Sequence, residues 1–152
     1  MSLNMSGRAT TNLPTRTAGQ WLSLIAGAAF VLIGLAGFFV TGFSGWTEHD
    51  QEQTLLGLSL NPLHNVVHLA LGALGLVMWR RAVLARWYGV VLFVGYTGAL
   101  VLGLTTRNEP HNDVLNLNQP DDVLHGLLAV LGLIIAFVPV RTERRPSTAE
   151  LR

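Results

Sequence analysis

Residues 21–43 form an unbroken apolar stretch without a charged side chain, and this stretch constrains the fold more than any other feature of the chain. It exceeds the ~20 residues that an α-helix needs to cross a hydrocarbon core about 30 Å thick. Three more apolar stretches, residues 63–79, 87–104 and 123–140, lie near the short end of the spanning range. Because lipid offers no partners to backbone N–H and C=O groups, all four spans are predicted to be α-helices.

The composition supports a membrane protein and excludes several kinds of chemistry. Only 12% of the residues are charged, against about 25% in a typical soluble domain. The chain has no cysteine, so disulfides, thiolate metal sites and cysteine nucleophiles are excluded. All ten basic residues are arginine, which excludes the Schiff-base chemistry of lysine. No nucleotide or nucleic-acid motif is present, so we expect the lipid bilayer as partner and no nucleic acid.

The arginines predict how the four spans are oriented. Four spans place both termini on one side, and nine of the ten arginines lie in the tails, residues 1–20 and 141–152, or in the connection 80–86. By the positive-inside rule we expect both termini in the cytoplasm and the transmembrane domain, residues 21–140, in the cell (inner) membrane as a multi-pass protein. The polar segment ahead of the first span favours a retained helix over a cleaved signal peptide.

The second and fourth spans resemble each other. Residues 58–76 and 115–133 align at a fixed offset of 57 with nine identities, which include an Asn and a His that are costly near lipid. The sequence therefore predicts an all-α integral membrane bundle built from two parallel-repeat hairpins, related by an axis along the membrane normal. Asn61 before Pro62 is typical of an N-cap with proline at the first helical position.

These paired segments also carry a family resemblance. "LNPLHNVVHLALGALGL" and "LNLNQPDDVLHGLLAVLGL" resemble the paired signatures of small four-helix bacterial membrane proteins that are grouped as domain of unknown function 4383. The resemblance covers roughly residues 19–140, which is nearly all of the chain outside the tails. It implies an integral membrane protein with four spans, and it implies no known activity or catalytic residue.

Histidines near the start of the second and fourth spans are the strongest clue to a site. His64 and His68 are four residues apart and share one face of a helix. The repeat places Asp121 and His125 at the equivalent positions, so we expect the two pairs at the same depth. In the simplest interpretation, His68 and His125 hydrogen-bond across helices or bind the loop carbonyls that precede each cap, because polar residues in spans usually face the bundle interior and find a partner there.

Two binding hypotheses use the same residues. A metal site would comprise His64, His68, Asp121 and His125, whose nitrogen and oxygen ligands suit transition metals such as zinc, copper or iron. A haem b site would use His68 and His125 as its two axial ligands.

The sequence leaves three hypotheses for function. No Asp, Glu or Arg lies deep in a span, so an autonomous ion pump is not expected. The leading hypothesis is a non-enzymatic accessory or structural subunit that acts through helix contacts with other membrane subunits or in a homo-oligomer. The alternative is a membrane metal- or haem-binding protein with its paired histidines near the outer face. A small channel or transporter is the third.

Overall fold

The computed structural model describes residues 16–139, which form a bundle of four α-helices. This confirms the predicted all-α fold. Of the predicted tails, residues 1–20 and 141–152, only residues 16–20 are among the described residues, and α1 begins within them. The elements are α1 (Ala18–Thr41), β1 (Thr54–Leu55), β2 (Leu58–Ser59), α2 (Pro62–Met78), α3 (Ala82–Thr106), a 3₁₀ turn (Pro110–Asn112) and α4 (Gln119–Phe137).

The helices have the length and surface of membrane spans. By length and composition, α1, α3 and α4 can each cross a membrane. With 17 residues, α2 is shorter, about 25 Å long at 1.5 Å per residue. Large apolar side chains such as Leu32, Phe39, Val94 and Leu127 are exposed on the outer faces of the helices. Such contiguous apolar exposure is rare on soluble monomers, so it supports a surface that contacts lipid.

Several helix ends differ from those that apolarity predicts. The α3 helix begins at Ala82, five residues before the predicted start, because arginines at a helix end do not interrupt its backbone hydrogen bonds. The α1 helix stops at Thr41, because Gly42 adopts a φ of 64°. The α4 helix stops at Phe137, ahead of Pro139, since a residue before proline avoids the helical region.

The bundle consists of two tightly packed helical hairpins. The strongest packing is that of α1 against α2 and of α3 against α4. A Cβ on Gly72 would lie 2.6 Å from the backbone nitrogen of Val31, and a Cβ on Gly132 would lie 2.5 Å from that of Phe93. Glycine is therefore required at both places, because the helices of each hairpin approach backbone to backbone. That the hairpins are copies of one another stays a prediction.

The two long connections, residues 42–61 and 107–118, meet at one end of the bundle, which we call the loop end. The side chain of Asn61 caps α2 and also donates to the carbonyl of Val114 in the second connection, at 2.9 Å. The side chain of Asn118 caps α4 and donates to the carbonyl of Gly57 in the first connection, at 2.9 Å. Each cap thus binds the loop of the other hairpin, which closes the bundle over its buried centre.

Candidate functional site: a histidine cluster inside the bundle

Three histidines meet inside the bundle below the loop end. His64, His68 and His125, which we call the imidazole cluster, are all buried. The ring centroid of His64 lies 4.5 Å from that of His68 and 5.8 Å from that of His125. His68 lies about 10 Å along α2 from its N-cap, at 1.5 Å per residue. The structure therefore brings together three of the four histidine and aspartate residues that the sequence singles out.

Local structure explains why these rings converge. Asn61 and Pro62 set the start of α2, so His64 and His68 follow one turn apart on the face that points into the bundle. On α4, Asn118 sets the start of the helix, and His125 lies seven residues later, just as His68 follows Asn61. Because both helices begin at the loop end, the histidines reach a similar depth from opposite hairpins.

Two aromatic residues enclose the cluster from the remaining helices. Phe30 of α1 stacks on His68 with an interplanar angle of 6° and a centroid distance of 6.0 Å. Tyr96 of α3 lies 5.3 Å from His125 and 5.5 Å from Phe30, measured between ring centroids. Each of the four helices thus contributes at least one ring to this cluster of aromatic side chains. Neither Phe30 nor Tyr96 belongs to a sequence motif, and the only local signal is that Tyr96 is a polar residue in the middle of the third span.

The cluster carries polar atoms that lack partners. Within residues 16–139, no hydrogen-bond partner is found for the buried Nδ1 atoms of His64, His68 and His125 or for the hydroxyl of Tyr96. Buried polar side chains are paired in the large majority of cases, and each unpaired one costs about 1–3 kcal/mol. The predicted hydrogen bonds across helices are thus not made through these nitrogens. The cluster instead has free capacity to bind a further group.

A cavity of about 270 Å³ adjoins the cluster. Its polar lining comes from the imidazole cluster and Tyr96, and the rest of its wall is apolar. On α3, the wall includes Gly95 and Gly98, both exposed, where an added Cβ would meet nothing within 4 Å. Val67 on α2 lines the cavity and is also exposed. The cavity therefore opens sideways between α2 and α3, onto the surface that faces lipid.

Asp121, the fourth predicted metal ligand, is bound elsewhere. Its Oδ2 atom accepts hydrogen bonds from the backbone N–H of Asn118 at 2.9 Å and of Ser59 at 3.0 Å. The first bond completes a capping box at the start of α4, and the second attaches the β-hairpin of the first connection. Asp121 therefore stabilises the loop end, and this explains its position one turn before His125.

The predicted metal and haem sites gain no direct support. Among residues 16–139, no group of three or more His, Asp or Glu side chains is arranged to hold a metal ion. The ring of His64 lies against both other rings of the cluster, so a macrocycle would fit between His68 and His125 only if His64 moved. Both hypotheses stay predictions.

A second, polar cavity of about 370 Å³ lies at the loop end. Arg107 donates to the Oδ2 atom of Asp122 at 2.6 Å, and His49 lies 3.2 Å from Asp113. Arg107 is about half exposed, and an exposed ion pair contributes ~0–1 kcal/mol. Among the described residues, the lining of this cavity carries one unpartnered buried atom, the Oδ1 atom of Asp122, whereas four residues that line the cavity beside the imidazole cluster each carry one. The cavity beside the imidazole cluster is therefore the candidate site.

The fold and the site together define a helical membrane protein with a polar pocket inside its bundle. A family model, Domain of unknown function (DUF4383), matches residues 20–138, and the chain belongs to this family. No curated protein and no solved structure matches the chain significantly. Because the family is described as a domain of unknown function, the site itself is the basis for a functional proposal.

Proposed function

We propose that this protein binds a small ligand within the bilayer, in the cavity beside the imidazole cluster. The single observation that carries the proposal is the set of buried, unpartnered polar atoms on His64, His68, His125 and Tyr96, four residues that line that cavity. A purely structural cluster would leave these atoms unpaired at a cost of about 1–3 kcal/mol each. A bound ligand with hydrogen-bonding groups would recover that free energy.

The composition of the cavity favours an uncharged organic ligand. Ligand pockets are mostly apolar with a few convergent polar groups, and this cavity has that character. No Arg, Asp or Glu is among the described residues that line it, so a charged ligand would lack a counter-charge in a region of low polarity. A transition metal on the imidazole nitrogens is the competing occupant, because neutral imidazole is a common metal ligand.

Purification in mild detergent, followed by analysis of what the protein retains, tests the proposal. Mass spectrometry of an organic extract, elemental analysis and a visible absorption spectrum separate an organic molecule, a metal and haem. We expect an organic compound in near-stoichiometric amount, lost in His125→Leu. His111→Leu is the matched control, because His111 lies exposed in the second connection. Wild-type protein that retains nothing and binds no added compound refutes the proposal.

An accessory or structural subunit is the second candidate. Its support is the set of small residues exposed on the outer surface of the helices, such as Ala29, Ala70 and Ala73, because small side chains let another span approach closely. Native mass spectrometry of gently solubilised membranes tests it. A defined complex with another membrane protein, or a homo-oligomer, supports this role, and a monomer without any partner contradicts it.

A further inference from the structure

We infer that the ligand of this cavity is the head group of a quinone or quinol, with its apolar tail leaving between α2 and α3. The inference rests on the proposed function and specifies the ligand class. It follows from three properties of the cavity: its shape, its hydrogen-bonding capacity and the direction in which it opens.

The shape of the cavity suits a flat ring. Gly95 and Gly98 are three residues apart, so they lie on one side of α3 and leave a strip of bare backbone in the wall. Tyr96 lines the cavity with an aromatic ring, and Phe30 of α1 packs against two of its lining residues, His68 and Tyr96. A volume of about 270 Å³ accommodates a ring with small substituents, and an isoprenoid or acyl tail would have to extend outside it.

The polar atoms suit a ligand that accepts hydrogen bonds in its oxidised form and donates them in its reduced form. A neutral imidazole has one N–H donor and one acceptor nitrogen, and a tyrosine hydroxyl does both. The cavity can therefore donate to the carbonyl oxygens of a quinone and accept from the hydroxyls of a quinol. His125 and Tyr96 come from α4 and α3, and His64 and His68 come from α2, so polar groups reach the cavity from more than one side.

The opening of the cavity between α2 and α3 favours a ligand that is dissolved in the membrane. Val67, Gly95 and Gly98 line the cavity and are exposed on the surface that would contact lipid. A phospholipid would bring a charged phosphate to this depth, and no arginine among the described lining residues is there to receive it. A ligand with an uncharged polar ring and an apolar tail can enter from the lipid and needs no counter-charge in the cavity.

Titration of the full-length protein in detergent with decylubiquinone, followed by isothermal calorimetry, tests the inference. Decan-1-ol is the matched probe, because it has a tail of the same length and no ring. We expect saturable binding of decylubiquinone with a Kd in the micromolar range and no saturable binding of the alcohol. Absence of saturable quinone binding to folded wild-type protein overturns the inference.

Two variants test whether binding uses this cavity. Gly98→Leu places a side chain in open space at the mouth of the cavity and should weaken binding more than about tenfold, because the tail can no longer leave. Tyr96→Phe removes one hydroxyl and should weaken binding about three- to tenfold. Ala29→Leu adds similar bulk to an exposed position of α1 and is the control. Equal affinity in wild type and both cavity variants would overturn the assignment.

The outcomes separate this inference from the proposed function. If the purified protein retains another organic compound or a metal that His125→Leu loses, and decylubiquinone does not bind, the quinone inference fails and ligand binding stands. If nothing is retained and no probe binds, both fail. Circular dichroism and gel filtration identify variants that have lost their fold, and Tyr96→Phe serves as the test where Gly98→Leu does not fold.

Discussion

Asp121 gives the sharpest test of how the loop end is built, because the sequence predicts it as a metal ligand and the structure uses it for another purpose. Replacing it by alanine removes one carboxylate that accepts hydrogen bonds from two backbone N–H groups. The side chain is about 1% exposed, so water cannot easily replace it. The substitution therefore removes the hydrogen bonds that attach the first connection to the start of α4.

The expected magnitude follows from the two bonds. Each buried N–H that loses its partner costs about 1–3 kcal/mol, and a carboxylate in the first turn of a helix adds about 0.3–1 kcal/mol through the helix dipole. Asp121→Ala should thus lower the free energy of unfolding by about 2–7 kcal/mol. Asp121→Asn keeps an acceptor oxygen and loses the charge, so we expect a smaller decrease of about 1 kcal/mol.

Unfolding with increasing sodium dodecyl sulfate in mixed micelles, followed by circular dichroism, measures these differences. Glu109→Ala is the matched control, because its carboxylate is more than half exposed, and we expect its effect to stay within about 0.5 kcal/mol. The amount of ligand that the purified protein retains is measured on the same samples. It should be the same in Asp121→Asn as in wild type.

Two results would refute the reasoning. If Asp121→Ala is as stable as Glu109→Ala, the hydrogen bonds to Ser59 and Asn118 do not hold the loop end together. If Asp121→Asn remains folded and loses a metal ion that wild-type protein retains, the carboxylate belongs to a metal site with the histidines. The second result would restore the four-residue site that the sequence predicts.

Two further predictions concern packing and orientation. Gly132→Ala should destabilise the protein by about 1–3 kcal/mol, because its Cβ would meet the backbone of Phe93 and force α3 and α4 apart. Gly126→Ala on the same helix has room for a Cβ and should be neutral or stabilising in the same unfolding assay; equal losses in the two variants would contradict the packing. Since the chain has no cysteine, single-cysteine variants report its orientation in cells with a membrane-impermeant maleimide. Glu52→Cys should react in intact cells and Arg81→Cys only after permeabilisation, and the reverse pattern would overturn the positive-inside prediction.

The sequence predicts those parts of the fold that depend on local composition. Apolar length identifies the four helices, because a polypeptide in lipid must satisfy its backbone hydrogen bonds within each span. Asn61 and Pro62 locate the start of α2, since the cap and the proline act within one turn. The same logic places His68 and His125 at similar depth. The start of α3 at Ala82 is not predicted in this way, because apolarity identifies the part of a helix that lies in the membrane and not the residue at which the helix begins.

The tertiary structure alone decides which side chains form the site. Asp121 and His125 are one turn apart on α4, yet the carboxylate reaches an amide of the first connection while the imidazole points into the bundle. Phe30 and Tyr96 carry no motif, and each packs on a histidine of its own hairpin. The two pairs form one cluster because the hairpins meet where Phe30 contacts Tyr96 and where His64 contacts His125. Hydrogen bonds and cavities form between groups that are far apart in the chain. The local sequence therefore identifies candidate site residues, and the packing of the helices decides which of them form the site.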